Sequence, residues 1–118
     1  MALVSTFENA LASVNNRAAC DERIKDALNK YAGRHLVFNV VGDAVYSFKI
    51  TPEKIEFNVT ASLEEIPEDM YLEMDLERAK KLVYKRMVNP TDLLLGRIKW
   101  KNMSMSDVNF LRNLLSNY

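Results

Sequence analysis

Residues 35–60 carry the strongest folding signal in the chain and read HLVFNVVGDAVYSFKITPEKIEFNVT. Large apolar residues alternate with polar or charged ones through three short segments, which Gly42-Asp43 and Thr51-Pro52-Glu53 separate. Successive side chains of a strand point to opposite faces, so this alternation predicts three strands that share one apolar face. The two separating segments suit tight turns. The sequence therefore predicts an antiparallel meander that is covered on one side only.

The same alternation returns twice towards the C-terminus, in MYLEMD at residues 70–75 and RIKWK at residues 97–101. These segments predict a fourth and a fifth strand of the same sheet. Their outward residues are acidic in one strand and basic in the other, so ion pairs are expected between them. Residues 76–96 contain a helical pattern and are long enough for a parallel crossover between these two strands. The apolar face of the whole sheet is expected to bury Phe38, Phe48, Phe57, Leu72, Ile98 and Trp100.

In the remaining parts of the chain, apolar residues recur three and four positions apart, which predicts amphipathic helices. Asn15-Asn16 is expected to end the first helix, and Asp21 to begin the second. The helical segments fall at residues 3–14, 21–32, 75–87, 90–95 and 108–118. Together the elements predict one α+β domain over residues 1–118. It consists of a five-stranded, mostly antiparallel sheet with one parallel crossover and with helices over one face.

The composition argues against several classes of protein. The 118 residues include 16 basic and 16 acidic ones, so no basic patch for nucleic acid is predicted. The first helix carries Glu8 and no basic residue before Arg17, so weak or no membrane contact is expected. Cys20 is the only cysteine, which argues against an internal disulfide framework. Neither a signal peptide nor a membrane-spanning run is visible, and a cytoplasmic location is expected.

Few residues could support chemistry. His35 is the only histidine, and no nucleophile or second base is readable beside it. Cys20 lies just before the second helix, where a thiol can be activated, but an incidental cysteine is the favoured interpretation. The acidic pairs Glu64-Glu65 and Glu68-Asp69 lack the spacing of a calcium-binding loop. We therefore expect no catalytic residues, no metal site and no cofactor.

The C-terminal half carries a more specific pattern, YLEMDLERAKKLVYKRMVNPTDLLLGRIKWKNMSMSDVNFLRNLL at residues 71–115. A strand of alternating apolar and acidic residues leads into a helix, and an Asn-Pro pair follows. Next come a short apolar helix, a strand that starts at a glycine and alternates basic with apolar residues, and an apolar final helix. With the helices and meander before it, this order resembles the sterol carrier protein 2 family. Arg86 and Asn102 stand where that family usually has glycine, and the segment 90–96 is one residue short.

The resemblance implies a tunnel between the apolar sheet face and the C-terminal helices. Such a tunnel holds a fatty acyl chain, a sterol or an isoprenoid tail and performs no catalysis. The expected lining residues are Phe48, Phe57, Met74, Leu94, Trp100, Met103, Phe110 and Leu114.

The residues alone leave a second interpretation open, because methionine and aromatic side chains also fill ordinary cores. Two functions therefore stand side by side. One is a carrier of a hydrophobic lipid, and the other is a non-catalytic interaction or accessory domain with a filled core. A homodimer is left open as a further alternative.

Overall fold

The computed structural model describes residues 2–63, 68–85 and 90–116. Its strands form a single sheet in the order β3-β2-β1-β4-β5. The strands are β1 (His35–Val41), β2 (Ala44–Ile50), β3 (Ile55–Thr60), β4 (Met70–Asp75) and β5 (Lys99–Lys101). The helices are α1 (Val4–Ala18), α2 (Glu22–Tyr31), α3 (Leu76–Lys85), α4 (Pro90–Leu94) and α5 (Met105–Ser116).

The first three strands form the predicted antiparallel meander. Phe48 of β2 lies between Leu36 of β1 and Phe57 of β3 across the sheet. Gly42 has a φ of 85° in the turn between β1 and β2, a backbone conformation that glycine adopts without strain. The fold class predicted from the alternation is confirmed, including its one parallel pair of strands.

That parallel pair lies in a different place from the one predicted. β4 runs parallel to β1, and β5 returns antiparallel to β4. The expectation that residues 76–96 form a parallel crossover is therefore wrong. This connection contains two helices, α3 and α4, and the chain has reversed its direction when it enters β5. The parallel pair arises earlier, because residues 61–69 connect β3 to a strand that starts beside the start of β1.

Four helices share a single core on one face of the sheet. Ala79 and Val83 lie one turn apart in α3, and Phe7 and Val14 two turns apart in α1, so each pair lies on one side of its helix. Within the described residues, no helix is long and apolar enough to cross a membrane. The buried helical residues of this core are Phe7, Val14, Ala18, Ile24, Leu28, Tyr31, Ala79, Val83 and Phe110.

The predicted burial of the apolar sheet residues is met fully by three of the six and partly by two. Phe38, Phe48 and Ile98 are buried, while Phe57 and Leu72 are half-buried and pack against the core. Trp100 is 42% exposed, so the expectation that the sheet buries it is wrong. Strand β5 is three residues long and lies at the edge of the sheet, which leaves the indole with protein on fewer sides.

The other face of the sheet is less polar than the sequence predicts. Val37, Val45 and Tyr71 are buried on it, although none of them belongs to the main core. The Tyr71 hydroxyl accepts a hydrogen bond from the Asn39 amide at 2.9 Å and donates one to Glu73 at 2.7 Å. A small second apolar layer with a satisfied hydroxyl therefore lies opposite the helices.

The predicted ion pairing between β4 and β5 is confirmed for one pair. Lys99 lies opposite Glu73 in the register, with 3.6 Å between Nζ and Oε2. Arg97 instead contacts Asp92 of α4 at 3.3 Å. Both pairs are partly exposed, so each contributes a few tenths of a kcal/mol.

Helix α1 starts at a buried tyrosine of the meander. The Tyr46 hydroxyl accepts a hydrogen bond from the Leu3 N–H at 3.0 Å and donates one to the Asp43 carboxylate at 2.5 Å. Asp43 also accepts from the Ala2 N–H at 2.9 Å. Burial, together with the hydrogen bond to Asp43, raises the pKa of Tyr46 to about 12. The turn between β1 and β2 therefore also holds the start of α1.

The other end of α1 meets the edge of the sheet. The predicted stop at Asn15-Asn16 is wrong, because the helix runs to Ala18. The Asn15 amide donates to the Ile55 carbonyl at 3.2 Å, and its side-chain oxygen accepts from the Ile55 N–H at 2.9 Å. A helical side chain thus takes the place of a neighbouring strand and satisfies two main-chain groups of β3.

Removing this amide should destabilise the fold. We expect Asn15→Ala to lower the free energy of unfolding by about 1 to 3 kcal/mol, because both main-chain groups of Ile55 lose their partner. Denaturant unfolding followed by circular dichroism measures the change. Asn16→Ala is the matched control, since Asn16 is the exposed neighbour in the same helix and should change stability little. Equal unfolding midpoints for the two variants would contradict the role assigned to Asn15.

Candidate functional site

Two of the expected lining residues, Phe48 and Phe57, lie under α1. The Phe7 ring enters a cluster of sheet aromatics, with its centroid 5.1 Å from that of Phe48 and 6.0 Å from that of Phe57. Phe38 and Tyr46 complete the cluster at 6.0 and 5.1 Å from Phe7. The contacts with Phe38 and Phe48 are edge-to-face, a favoured geometry for aromatic pairs. This half of the apolar face is closely packed by protein.

A second group lies where α5 meets the core. The Phe110 ring stacks on Tyr31 of α2, with the centroids 3.9 Å apart and 7° between the ring planes. Met103 is half-buried and packs against the core, and Met74 of β4 is buried within it. The structure therefore brings three of the expected residues, Met74, Met103 and Phe110, into or against the same core as the aromatic cluster.

Two further expected residues, Leu94 and Trp100, lie apart from these two groups. Leu94 is 87% exposed at the end of α4, and Trp100 lies at the sheet edge opposite Leu72. The side chain of Leu114 lies outside the described part of the chain. Leu95 and Met105 are also exposed, at 60% and 65%. The exposed large apolar side chains of residues 90–110 thus lie before, within and after the short strand β5.

Helix α5 starts with a reciprocal cap. The Ser104 N–H donates to the Asp107 carboxylate at 2.9 Å, and the Asp107 N–H donates to the Ser104 hydroxyl at 3.2 Å. The Tyr31 hydroxyl also donates to Asp107. The hydrogen bonds from Ser104 and Tyr31 lower the pKa of Asp107. Burial, together with the hydrogen bond to Asp107, raises the pKa of Tyr31. One carboxylate therefore ties the first turn of α5 to the end of α2.

Asn102 connects β5 to α5 in a left-handed backbone conformation. Its φ of 58° is one that asparagine tolerates better than most residues other than glycine. The side-chain amide donates to the carbonyls of Glu68 and Asp69, each at 3.0 Å. The departure from the glycine of the family pattern thus keeps the turn and adds two contacts to the start of β4.

The Asp69 carboxylate connects the start of β1 with the start of β4. This carboxylate accepts from the Arg34 guanidinium at 2.8 Å, the His35 N–H at 2.9 Å and the Met70 N–H at 2.8 Å. Burial acts to raise the pKa of Asp69, but the hydrogen bonds from His35 and Arg34 outweigh it and hold the pKa below its usual range. We refer to Arg34, Asp69, Asn102 and Asp107 together as the polar rim.

A second carboxylate holds the short helix α4. The Asp92 side chain is 12% exposed and lies 3.2 Å from Nε of Arg78 and 3.3 Å from Nη1 of Arg97. Arg78 also contacts Asp75, which caps α3 by accepting the Arg78 N–H at 2.9 Å. This network joins α3, α4 and the approach to β5, and it anchors the helix whose end carries Leu94.

The residues considered for chemistry have few partners in the structure. The His35 side chain is exposed, and Cys20 is exposed with its Sγ 3.8 Å from the Asn16 carbonyl. Among the described residues, no three His, Cys, Asp or Glu side chains are grouped closely enough to hold a metal ion. Glu64-Glu65 and Arg86 lie outside the described residues.

Sequence reasoning missed most of the polar rim. The pattern Ser104-x-x-Asp107 before an apolar run is a recognisable capping signal for the start of α5. In the sequence Tyr31 is one more apolar residue on the buried side of α2, and nothing in its spacing reveals the stack on Phe110. Asn102 and Asp69 lie more than 30 residues apart, so only the folded sheet brings them together.

Solved structures share this architecture. Sterol carrier protein 2 from Yarrowia lipolytica superposes with a TM-score of 0.65 and 14% identity, over 94% of this chain and 87% of that one. The sterol carrier protein domain 2 of Helicoverpa armigera gives 0.60 and 15% identity, over 97% and 85%. The ubiquinone synthesis protein UbiJ-SCP2 gives 0.60 and 13% identity, over 92% and 91%. No protein-family model and no curated protein matches the sequence.

The chain therefore has the sterol carrier protein 2 fold, as its C-terminal pattern predicts. Each comparison spans nearly the whole of both chains, so the likeness includes the helices as well as the sheet. At identities of 13 to 15% it establishes shared architecture. A fold hosts different functions, so the function has to be argued from the residues of this chain.

The lowered pKa of Asp107 predicts a pH dependence of stability. A carboxyl with a depressed folded pKa stabilises the fold above its unfolded value of about 3.9, and this stabilisation is lost as the pH falls through the folded value. Asp107→Asn should cost about 1 kcal/mol at pH 7, and the difference from wild type should shrink below about pH 4. Urea unfolding at several pH values measures this. Asp26→Asn, at an exposed position of α2, should leave the profile unchanged. A constant Asp107→Asn deficit from pH 7 to 3 would contradict the prediction.

Proposed function

We propose that this chain is a non-catalytic carrier that binds a hydrophobic lipid between its sheet and its C-terminal helix. The ligand class is a fatty acyl chain, a sterol or an isoprenoid lipid. The observation that carries the proposal is the apolar face of the sheet that the helices cover, in a fold that solved sterol carrier proteins share. No catalytic residue or cofactor is part of the proposal, and the proposed location is cytoplasmic.

The α5 side of the core is the proposed point of entry. Helix α1 is hydrogen-bonded to the meander at both of its ends, through Leu3 and Asn15. The start of α5 is attached through the polar rim and through one aromatic stack. The exposed apolar side chains Leu94, Leu95 and Trp100 occur in the segment that leads into this helix. An apolar ligand would meet these residues first.

The proposed lining extends from this entry into the core. Met103 and Phe110 would contact the ligand near α5, and Met74 would lie deeper in β4. Phe48 and Phe57 would close the far end under α1. Methionine suits such a position because its unbranched side chain adapts to ligands of different shape. The full proposed lining comprises Phe48, Phe57, Met74, Leu94, Trp100, Met103, Phe110 and Leu114.

Binding of such a lipid requires few polar contacts. Burial of each methylene contributes about 0.8 kcal/mol, so ten buried methylenes contribute about 8 kcal/mol before the entropic cost of binding. A site of this kind distinguishes ligands by length and girth. The polar rim could then contact a headgroup, since the Arg34 side chain is partly exposed beside the start of α5.

The second candidate function is an interaction or accessory domain with a filled core. Its support is the packing around Phe7, whose ring already occupies the centre of the aromatic cluster. At α5, the close stack of Phe110 on Tyr31 likewise fills the space between the helices. A ligand would have to displace one of these contacts, whereas a filled core requires no change.

Native mass spectrometry of the purified protein distinguishes the two functions. The carrier function predicts an adduct with the mass of a lipid, or saturable binding of a fatty acid, a fatty acyl-CoA or a sterol in a titration. Absence of any adduct and of binding to all three ligands would reject the carrier and favour the interaction domain.

A pair of methionine variants locates the site. We expect Met103→Trp to abolish lipid binding, because the larger side chain fills the space beside the core. Met105→Trp is the matched control, since Met105 lies two residues away and is exposed. Lipid titration measures the two affinities, and thermal unfolding verifies that both variants fold. Equal affinities in two folded variants would place the ligand elsewhere.

The emission of Trp100 reports the ligand directly. It is the sole tryptophan and is 42% exposed in the free protein. An acyl chain that covers the indole removes water from it, so the emission maximum should shift to shorter wavelength as lipid is added. Saturable binding without any change in emission would remove Trp100 from the proposed lining.

A further inference from the structure

Strand β3 forms one edge of the sheet, and the direction of its main-chain groups follows from its neighbours. The Ile50 N–H donates to the Arg34 carbonyl at 2.9 Å, and the Ile50 carbonyl accepts from Gly33 at 2.8 Å, so Ile50 bonds away from β3. Its partner Ile55 therefore points its own N–H and carbonyl out of the sheet. The Asn15 amide binds both groups there.

The same direction recurs at every second residue, so the main-chain groups of Phe57 and Val59 also point out of the sheet. No described residue hydrogen-bonds to these groups. The Phe57 and Val59 side chains are half-buried, whereas Phe48 and Tyr46 beside them in β2 are buried. This part of the edge therefore combines incompletely covered apolar surface with backbone donors and acceptors that bond to no residue in the described part of the chain.

We infer that residues 56–60 pair with the same segment of a second copy of this chain, antiparallel and with Asn58 on the two-fold axis. In this register Phe57 faces Val59 of the second copy, and each of the two such pairs exchanges two main-chain hydrogen bonds. The aromatic and β-branched side chains of each pair cover one another. The two sheets become one continuous sheet with both helical layers on the same face.

Asn15 limits the register from one side. Because its side chain occupies the outward groups of Ile55, an added strand can pair no further along the edge than Glu56. With Asn58 on the axis the added strand ends there, with Thr60 of the second copy opposite Glu56. A register centred on Phe57 would bring Val59 of the second copy against the occupied Ile55. Among the registers that avoid Ile55, the one centred on Asn58 pairs both Phe57 and Val59 with an apolar residue.

The paired side chains do not repel each other in this register. Glu56 faces a threonine and Asn58 faces an asparagine amide, so no like charges meet. At the other edge strand, β5, the same arrangement would place Lys99 opposite Lys101 of the second copy. Like charges directly opposite each other destabilise a strand pair.

Cysteine cross-linking of the full chain tests the register. With the exposed Cys20 replaced by serine, Asn58→Cys places two thiols on the axis at a Cα separation of about 4.5 Å, which a disulfide accepts. Mild oxidation should convert this variant to a covalent dimer. Glu56→Cys is the matched control, because it is exposed on the same face of β3 but lies about 13 Å from its counterpart. The Glu56→Cys variant should migrate as a monomer in non-reducing denaturing electrophoresis.

Two further variants separate pairing from folding. Val59→Pro removes an N–H that points out of the sheet, and an edge strand tolerates proline at such a position. Asn58→Asp changes the amide into a carboxylate and places two like charges on the axis. Sedimentation of the wild type should give twice the chain mass of 13.6 kDa, and both variants should sediment as monomers with unchanged circular dichroism.

Either of two results would overturn the inference. One is disulfide formation by Glu56→Cys as fast as by Asn58→Cys, since that would show random collision. The other is a wild-type sedimenting mass that Val59→Pro leaves unchanged, whether that mass is one chain or two. Neither result depends on whether the protein binds a lipid.

Discussion

The insertion of the Phe7 ring among the sheet aromatics is the contact on which the rest of the structure depends. Phe7 approaches Phe38 of β1, Phe48 of β2 and Phe57 of β3, so one helical side chain touches every strand of the meander. The hydrogen bonds of Asn15 and Leu3 then fix the direction in which α1 crosses these strands. With α1 in place, one face of the sheet is shielded from water over the meander, and the other helices pack against this core.

The helical cover therefore consists of two unequal parts. Over the meander it is aromatic, with a helix bound at both ends. Towards β5 it rests on the stack of Phe110 and Tyr31 and on the polar rim, and the sheet itself narrows to a three-residue strand. The difference follows from strand length and from where aromatic residues occur in the chain. A ligand would therefore meet fewer fixed contacts at α5 than around Phe7.

Local patterns in the sequence were sufficient for the strands but not for their arrangement. Alternation located β1 to β4 and their apolar face, because a strand exposes every second side chain to the same environment. The direction of β5 was mispredicted, since the length of a connection does not show whether its helices reverse the chain. Trp100 was expected to be buried because alternation reveals the face of a residue and not its distance from the sheet edge. Asn15 read as a helix stop because its preference for turns is local, whereas its partner Ile55 is 40 residues away.

That separation has a consequence for how the protein is made. A ribosome completes α1 before it starts the meander, and Asn15 must wait for a partner 40 positions further along the chain. At about 5 to 20 residues per second, this wait lasts about 2 to 8 seconds, whereas a helix forms in about a microsecond. During that interval the nascent chain carries a formed or forming amphipathic helix with Phe7 uncovered. Burial of Phe7 and of the Asn15 amide is therefore paced by translation, since both wait for the sheet to be made.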